Sequence, residues 1–324
     1  MFSFDEVVGN QSIVSNLKLS VQKNRIFHSY IFYAQEGSQK LFIAKCFAKL
    51  IQCENKNSCG KCYSCKSFDF DNNPDVIYVL PSKTKNLGVD DIREQVKSQV
   101  DIKPYACKYK IFIIEHADKM TPQAQNALLK ILEEPPEFII FILLGENINN
   151  FLPTIISRCS IIKIAPVAIN LIQSNLQKQN IDEKHAEIYA LYSQGNIGRA
   201  LKFASDENFN KIRNNVLDII KKLQDSDVAQ ALSFVSEFEK FKDDFQLVLD
   251  IIYLWYADLI VYSATGDTSF IYNADMKDEI IKQAMNYDDL YGKIKAVEQA
   301  KKYLHYNTNF KMTLNVMLLE MCGR

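Results

Sequence analysis

The sequence lacks a surplus of either charge. Its 38 Lys and Arg against 39 Asp and Glu leave a formal net charge of −1. No global field therefore drives the chain toward nucleic acid or a membrane surface, and only a local basic patch stays open. It lacks a cationic-then-apolar opening, since "MFSFDEVVGN" carries Asp5, so no export signal is expected. It also lacks an uninterrupted membrane-length apolar run. The longest, "FIIFILLG" from Phe138, is strand-sized, and the stretch 247–264 is broken by Asp250 and Asp258, as in a buried bundle helix. There is no internal repeat and no low-complexity linker. These absences lead us to expect a cytoplasmic protein with no membrane partner. With 324 residues, 48% of them apolar, the chain is long enough for two or three domains with real cores.

What is present up to about residue 165 is alternation. "SYIFYA", "DVIYVLP", "YKIFIIEHA", "FIIFILLG" and "SIIKIAP" are short apolar runs separated by helix-like segments. Continuous apolar runs fit strands buried on both faces of a parallel sheet, and alternating βα order points the same way. The clearest helix is 122–134. Thr121 suits its N-cap and Pro122 its first turn, while Ala124, Ala127, Leu128, Ile131 and Leu132 form one apolar stripe. After residue 166 glycine is rare and no strand pattern occurs. The segments 168–179, 183–193, 197–205, 207–223, 226–238, 242–265, 275–287, 290–304 and 308–321 all predict helix.

Eight cysteines are present, four of them clustered as Cys53, Cys59, Cys62 and Cys65 with spacing C-x5-C-x2-C-x2-C. Four thiolates suit a tetrahedral zinc ion, with Gly60 easing the turn. A site so filled has no open coordination position and is structural. An iron–sulfur cluster takes the same donors, and four reduced, unligated thiols are the third possibility. Lys56, Lys61 and Lys66 lie nearby, but Glu54, Asp69 and Asp71 offset them, which weakens a DNA-binding reading of the cluster.

"AQEGSQKL" (34–41) stands between a strand and a helix, where a phosphate-binding loop would be. Against the pattern G-x-x-x-x-G-K-[ST], Ala34, Gln39 and Leu41 depart and only Lys40 matches. The Gln39 side chain is expected to obstruct the backbone approach to phosphate, and Leu41 cannot ligand Mg²⁺. After "KIFII", Glu115 and His116 hold the places of the metal-orienting and water-activating carboxylates. A degenerate nucleotide site near Gly37, Lys40 and Glu115, without ATP hydrolysis, is expected. "SRC" places Arg158 between Ser157 and Cys159. Its ordinary role is a surface salt bridge, and its functional one is a guanidinium offered to a neighbouring subunit's γ-phosphate.

Together, "FDEVVGNQSIVSNL", the cysteine cluster after the first P-loop-type helix, "HADKMTPQAQNALLKILEEPP" and "SRC" resemble the clamp-loader branch of the AAA+ ATPases, over about residues 1–205. The remainder is similar only in being helical, as the family's collar is. Active members carry a nucleotide-sensing arginine in a helix start G-x-x-R-x-A-L. Here "GNIGRAL" puts Gly198 in that place, with Arg199 about 100° round the helix. "LLGEN" (143–147) lacks the usual hydrogen-bonding residue unless Asn147 substitutes. The resemblance implies an AAA+ α/β domain over 1–165 with a zinc module at 53–65, a helical lid at 166–207 and an all-α collar at 208–324. It implies a ring with gamma/tau and delta subunits of bacterial DNA polymerase III, which opens the sliding clamp and loads it on primer-template DNA. In that ring this chain would be a non-hydrolysing subunit. Arg158 would act in trans, with Ser157 and Cys159 flanking it. The rivals are a divergent gamma/tau-like ATPase using Lys40, Glu115 and His116, and a zinc-containing DNA-binding protein.

Overall fold

Five apolar runs become five strands, and the central ones bury both of their faces. In the computed structural model, which describes residues 2–82, 86–206, 208–224, 226–284, 290–306 and 308–322, these are β1 (Ser29–Tyr33), β2 (Val76–Val79), β3 (Lys110–Ile114), β4 (Ile139–Gly145) and β5 (Ser160–Lys163). Every pairing is parallel, in the order β2-β3-β4-β1-β5. The central strands β3 and β4 are buried along their whole length, while edge strand β5 alternates. Successive residues point to opposite faces. Thus Tyr30 and Phe32 join one core with α1 (Gln11–Gln22) and α2 (Lys40–Gln52), and Ile31 joins the other. Short α3 (Tyr63–Asp69) adds Phe68 to the first core.

The second core is closed by three helical segments. The helix-like stretch between β2 and β3 forms as α4 (Val89–Ile92), a π-helical turn Arg93–Lys97 and α5 (Ser98–Val100). Helix α6 (Pro122–Glu133) starts as its sequence dictates, with Thr121 accepting from the Ala124 N–H at 3.2 Å. Helix α7 (Pro153–Ile156) contributes Ile155.

The chain divides into two units, one of residues 1–175 with 195–199, the other of 176–194 with 200–324. The segment 166–207 is thus shared between them, with α8 (Ile169–Lys178), α9 (Glu183–Tyr192) and α10 (Ile197–Ser205) as its helices. The boundary expected at residue 207 and the end of the segment expected over 275–287 lie outside the described residues. The second unit continues with α11 (Asn208–Gln224), α12 (Val228–Ser233), α13 (Val235–Glu239), α14 (Phe245–Thr265), α15 (Lys277–Ala284), α16 (Leu290–His305) and α17 (Phe310–Met321). The single helix expected over 226–238 is interrupted at Phe234.

Helix α14 is long and apolar enough to cross a membrane by length and composition, yet its two acids have partners inside this unit. Asp258 accepts from the backbone N–H groups of Tyr272 (2.6 Å) and Asn273 (2.8 Å) and from Asn273 Nδ2 (2.7 Å). Asp250 pairs with Lys301 at 2.7 Å. Arg213 extends the Asp258 network through Asn273 and Asp275. A buried charge persists only where it is so partnered.

Candidate functional site

The loop 34–39 joins β1 to α2 at the carboxyl end of the sheet, where nucleotides bind in folds of this type. Its backbone has kept the shape of a phosphate loop. Gln39 sits at φ +64°, the left-handed region a glycine adopts freely. Its side chain does not obstruct the loop as expected. It turns away, and Oε1 accepts from the Val8 N–H at 3.2 Å. Leu41 packs against the apolar core.

What covers the loop is a segment some 160 residues further on. Asn196 Nδ2 donates to the Glu36 carbonyl at 2.6 Å, and the Gly198 N–H donates to the Gly37 carbonyl at 3.0 Å. Asn196 Oδ1 also caps the Arg199 N–H at 3.1 Å. Gly198 approaches so closely that a Cβ there would meet the Gly37 carbonyl oxygen at 2.6 Å. A Cβ on Gly37 would in turn meet Asn196 Oδ1 at 2.6 Å. Lys40 folds back onto its own loop, donating to the carbonyls of Ala34 (3.1 Å) and Gln35 (3.3 Å). Burial pushes its ammonium below the ordinary value, against the pull of Glu146, Glu36 and Asp118.

The strand ends behind the loop carry an acid network that differs from the expected one. Glu115 is half-buried, and His116 adopts φ +50° with Nδ1 at 4.0 Å from Glu146 Oε1. Two further acids matter more. Asp118 is buried, and its Oδ2 accepts from the N–H groups of Glu146 (3.0 Å) and Asn147 (3.1 Å), tying the end of β3 to the end of β4. Lys119 donates to Glu146 at 3.0 Å. Burial would raise the Glu146 carboxyl, but Lys119 first, then Lys40 and His116, hold it below its usual range. Asn147 Oδ1 accepts from the Asn149 N–H, so its side chain serves its own turn.

The cysteine cluster is assembled at the other end of α2. Cys53 caps that helix, Cys62 caps α3, and left-handed backbone at Lys56, Ser58 and Gly60 wraps the chain between them. The four sulfurs of Cys53, Cys59, Cys62 and Cys65 lie within 4.8 Å of one another. A tetrahedral ion with sulfurs at about 2.3 Å would set them about 3.8 Å apart. Backbone N–H groups already point at three of them: Cys59 to Cys53 Sγ (3.4 Å), Cys62 to Cys59 Sγ (3.4 Å) and Cys65 to Cys62 Sγ (3.5 Å). The N–H groups of Cys62 and Lys61 bring the half-buried Cys59 thiol down to about 6. This donor set can hold a metal ion.

Arg158 follows α7 at the surface, more than a third exposed. Its Nη1 donates to the Thr154 carbonyl (2.9 Å) and to Ser157 Oγ (3.3 Å), and its Nη2 pairs with Glu133 at 3.0 Å. Its backbone carbonyl is pinned to β1 by Ser29 Oγ at 2.6 Å. Cys159 beside it is protonated, because burial pushes its thiol up to about 11. A half-exposed ion pair of this kind is worth about 0–1 kcal/mol, so the guanidinium is easily released to a stronger anion.

Two family models cover most of the chain. One, described as DNA polymerase III, delta subunit, matches residues 9–168, and one described as its C terminal matches residues 207–322. The chain is 29% identical to DNA polymerase III subunit delta' of Bacillus subtilis, over 93% of each. It is 27% identical to subunit tau of the same organism, over 98% of this chain and 61% of that one. It is also 27% identical to subunit gamma of Buchnera aphidicola, over 98% of this chain and 94% of that one.

Proposed function

The chain belongs to the clamp-loader family of DNA polymerase III, and we propose that within it the protein plays the delta-prime role, a non-hydrolysing subunit that completes the ring. The observation that carries this is the closure of the phosphate loop by Asn196 and Gly198. A phosphate loop works by presenting free backbone N–H groups and a lysine to the nucleotide. Here Lys40 is spent on loop carbonyls. Gly198, at the place of the sensing arginine, leaves no room for a side chain. The segment that carries Asn196 and Gly198 packs directly on the Glu36 and Gly37 carbonyls of the loop.

Arg158 is the group that remains to act on ATP, and it would act on a neighbour's. At a γ-phosphate the guanidinium would leave Glu133 and spread the charge that develops on transfer. Ser157 steadies it through Oγ, and the Ser29 bond fixes the backbone that presents it. The partners in this reading are gamma/tau and delta subunits, with the sliding clamp and primer-template DNA reached through the assembly. Residues 1–165 serve as the AAA+ body, 166–207 as lid and 208–324 as collar. The four cysteines hold a structural zinc, which would supply rigidity at the C-terminal end of α2 and no chemistry. Replacing Arg158 with Ala in a reconstituted assembly should leave folding intact and lower DNA-stimulated ATPase; unchanged ATPase and clamp loading would sink the role.

A divergent ATPase is the second reading, and one observation favours it. Ser38 Oγ, His116 Nδ1 and Asp118 Oδ1 are buried at the loop and strand ends without a hydrogen-bond partner among the described residues. Micromolar, Mg²⁺-dependent ATP binding by the isolated chain would favour that reading instead.

A further inference from the structure

A groove of about 480 Å³ lies against the cysteine cluster, on the far side of α2 from the phosphate loop. Its lining includes Ile26 and Ile51, the tyrosines Tyr63 and Tyr105, and Lys56 and Lys108, of which Lys56 Nζ donates to Asn24 Oδ1 at 2.5 Å and Lys108 Nζ lies 5.0 Å from the Tyr109 ring. The two tyrosines are unusually open, Tyr63 being 54% and Tyr105 85% exposed. They are not loosely held. Asp75, fully buried, accepts from three successive backbone N–H groups, those of Tyr105 (2.5 Å), Ala106 (2.8 Å) and Cys107 (2.8 Å). Gln52 Nε2 donates to the carbonyls of Asp75 and Tyr109, both at 3.2 Å. The loop that offers Tyr105 and Lys108 is thus clamped from below while its side chains face outward.

The charge around the groove also differs from the balance in sequence. Asp69 is spent on Lys49, buried at 2.7 Å, and Asp71 lies 4.0 Å from Lys45. Neither acid lines the groove, whose one carboxylate is Glu54. Lys66 stands one helical turn from Tyr63 and so shares its side of α3.

We propose that this groove binds single-stranded nucleic acid, with bases stacking on Tyr63 and Tyr105 and phosphates meeting Lys56 and Lys108. Aromatic faces interleaved with lysines on a rigid support are what sequence-tolerant single-strand binding needs. A peptide is less well served. Among the described residues no strand lines the groove to be extended, and its volume takes about one turn of a helix, where helix recognition uses anchors over two.

The test is fluorescence anisotropy of the purified full chain with a labelled single-stranded oligothymidine, titrated across salt. Saturable binding is expected, weakened about tenfold by Tyr105→Ala, in line with the loss of one stacked base. Lys108→Ala should make the salt slope shallower by about 0.7, one phosphate contact. Both side chains are exposed and the Asp75 clamp uses backbone, so the melting temperature should hold. The proposal is overturned by absence of saturable binding at low salt, by binding that neither variant changes, or by an acidic peptide that occupies the groove when the oligonucleotide does not. Since the Arg158 experiment reads ATP turnover on a neighbouring subunit, failure here leaves the proposed function standing.

Discussion

Helix α2 begins at the phosphate loop and ends at Cys53, and its two ends have kept different things. At its N-terminus the backbone shape survives, down to a left-handed Gln39, while Lys40 bonds carbonyls of its own loop and Gly198 packs against Gly37. At its C-terminus the donors survive, four sulfurs converging within 4.8 Å with N–H groups already aimed at three of them. A fold outlasts its chemistry where the fold is also a support. The loop must still join β1 to α2, whatever it binds. Cys53 and Cys62 also cap α2 and α3, and the four sulfurs together form a donor set that can hold a metal ion.

The two ends can be set apart by substitution. The largest effect should come from Cys62→Ser. Zinc binding by a thiolate site is worth on the order of 10 kcal/mol and is folding free energy, so losing a ligand should abolish bound metal and melt the module. Metal analysis and thermal melting with and without chelator check this. Next comes Arg158→Ala, which should slow turnover at the neighbouring site by about a thousandfold, roughly 4 kcal/mol, without changing the melting temperature. Single-turnover hydrolysis in the reconstituted assembly measures it.

Gly198→Ala should cost about 1–3 kcal/mol, because its Cβ would strike the Gly37 backbone and not a movable side chain. Denaturant unfolding reports that loss. Smallest is Lys40→Ala. In a hydrolysing subunit this lysine is indispensable. Here it makes two bonds to loop carbonyls, and its loss should cost about 1 kcal/mol and leave the assembly's ATPase unchanged. A large ATPase defect from Lys40→Ala would erase the contrast between the two ends.

The parallel sheet was legible because its central strands, buried on both faces, must be continuously apolar, and the start of α6 because Thr121-Pro122 is a local signal. The cysteine spacing was legible for the same local reason. The closure of the phosphate loop was not. Gly198 could be seen to replace an arginine, but its contact with Gly37 joins residues 161 positions apart, beyond any periodicity. Gln39 was expected to block the loop, since sequence shows a side chain's size and not its direction. Asp118 was passed over because it falls three residues after the expected carboxylate, on a turn that brings it back to β4. Asp75 offered no signal at all, for its partners are backbone N–H groups that every residue but proline carries.

Asn196 and Gly198 cover the phosphate loop from within the chain, and the proposed role leaves Arg158 as the group that acts on ATP. Titration of Mg²⁺-ATP into the isolated full chain by calorimetry tests that closure most directly. No saturable heat is expected up to millimolar nucleotide. Micromolar binding that requires Mg²⁺ and is lost in Lys40→Ala would contradict it.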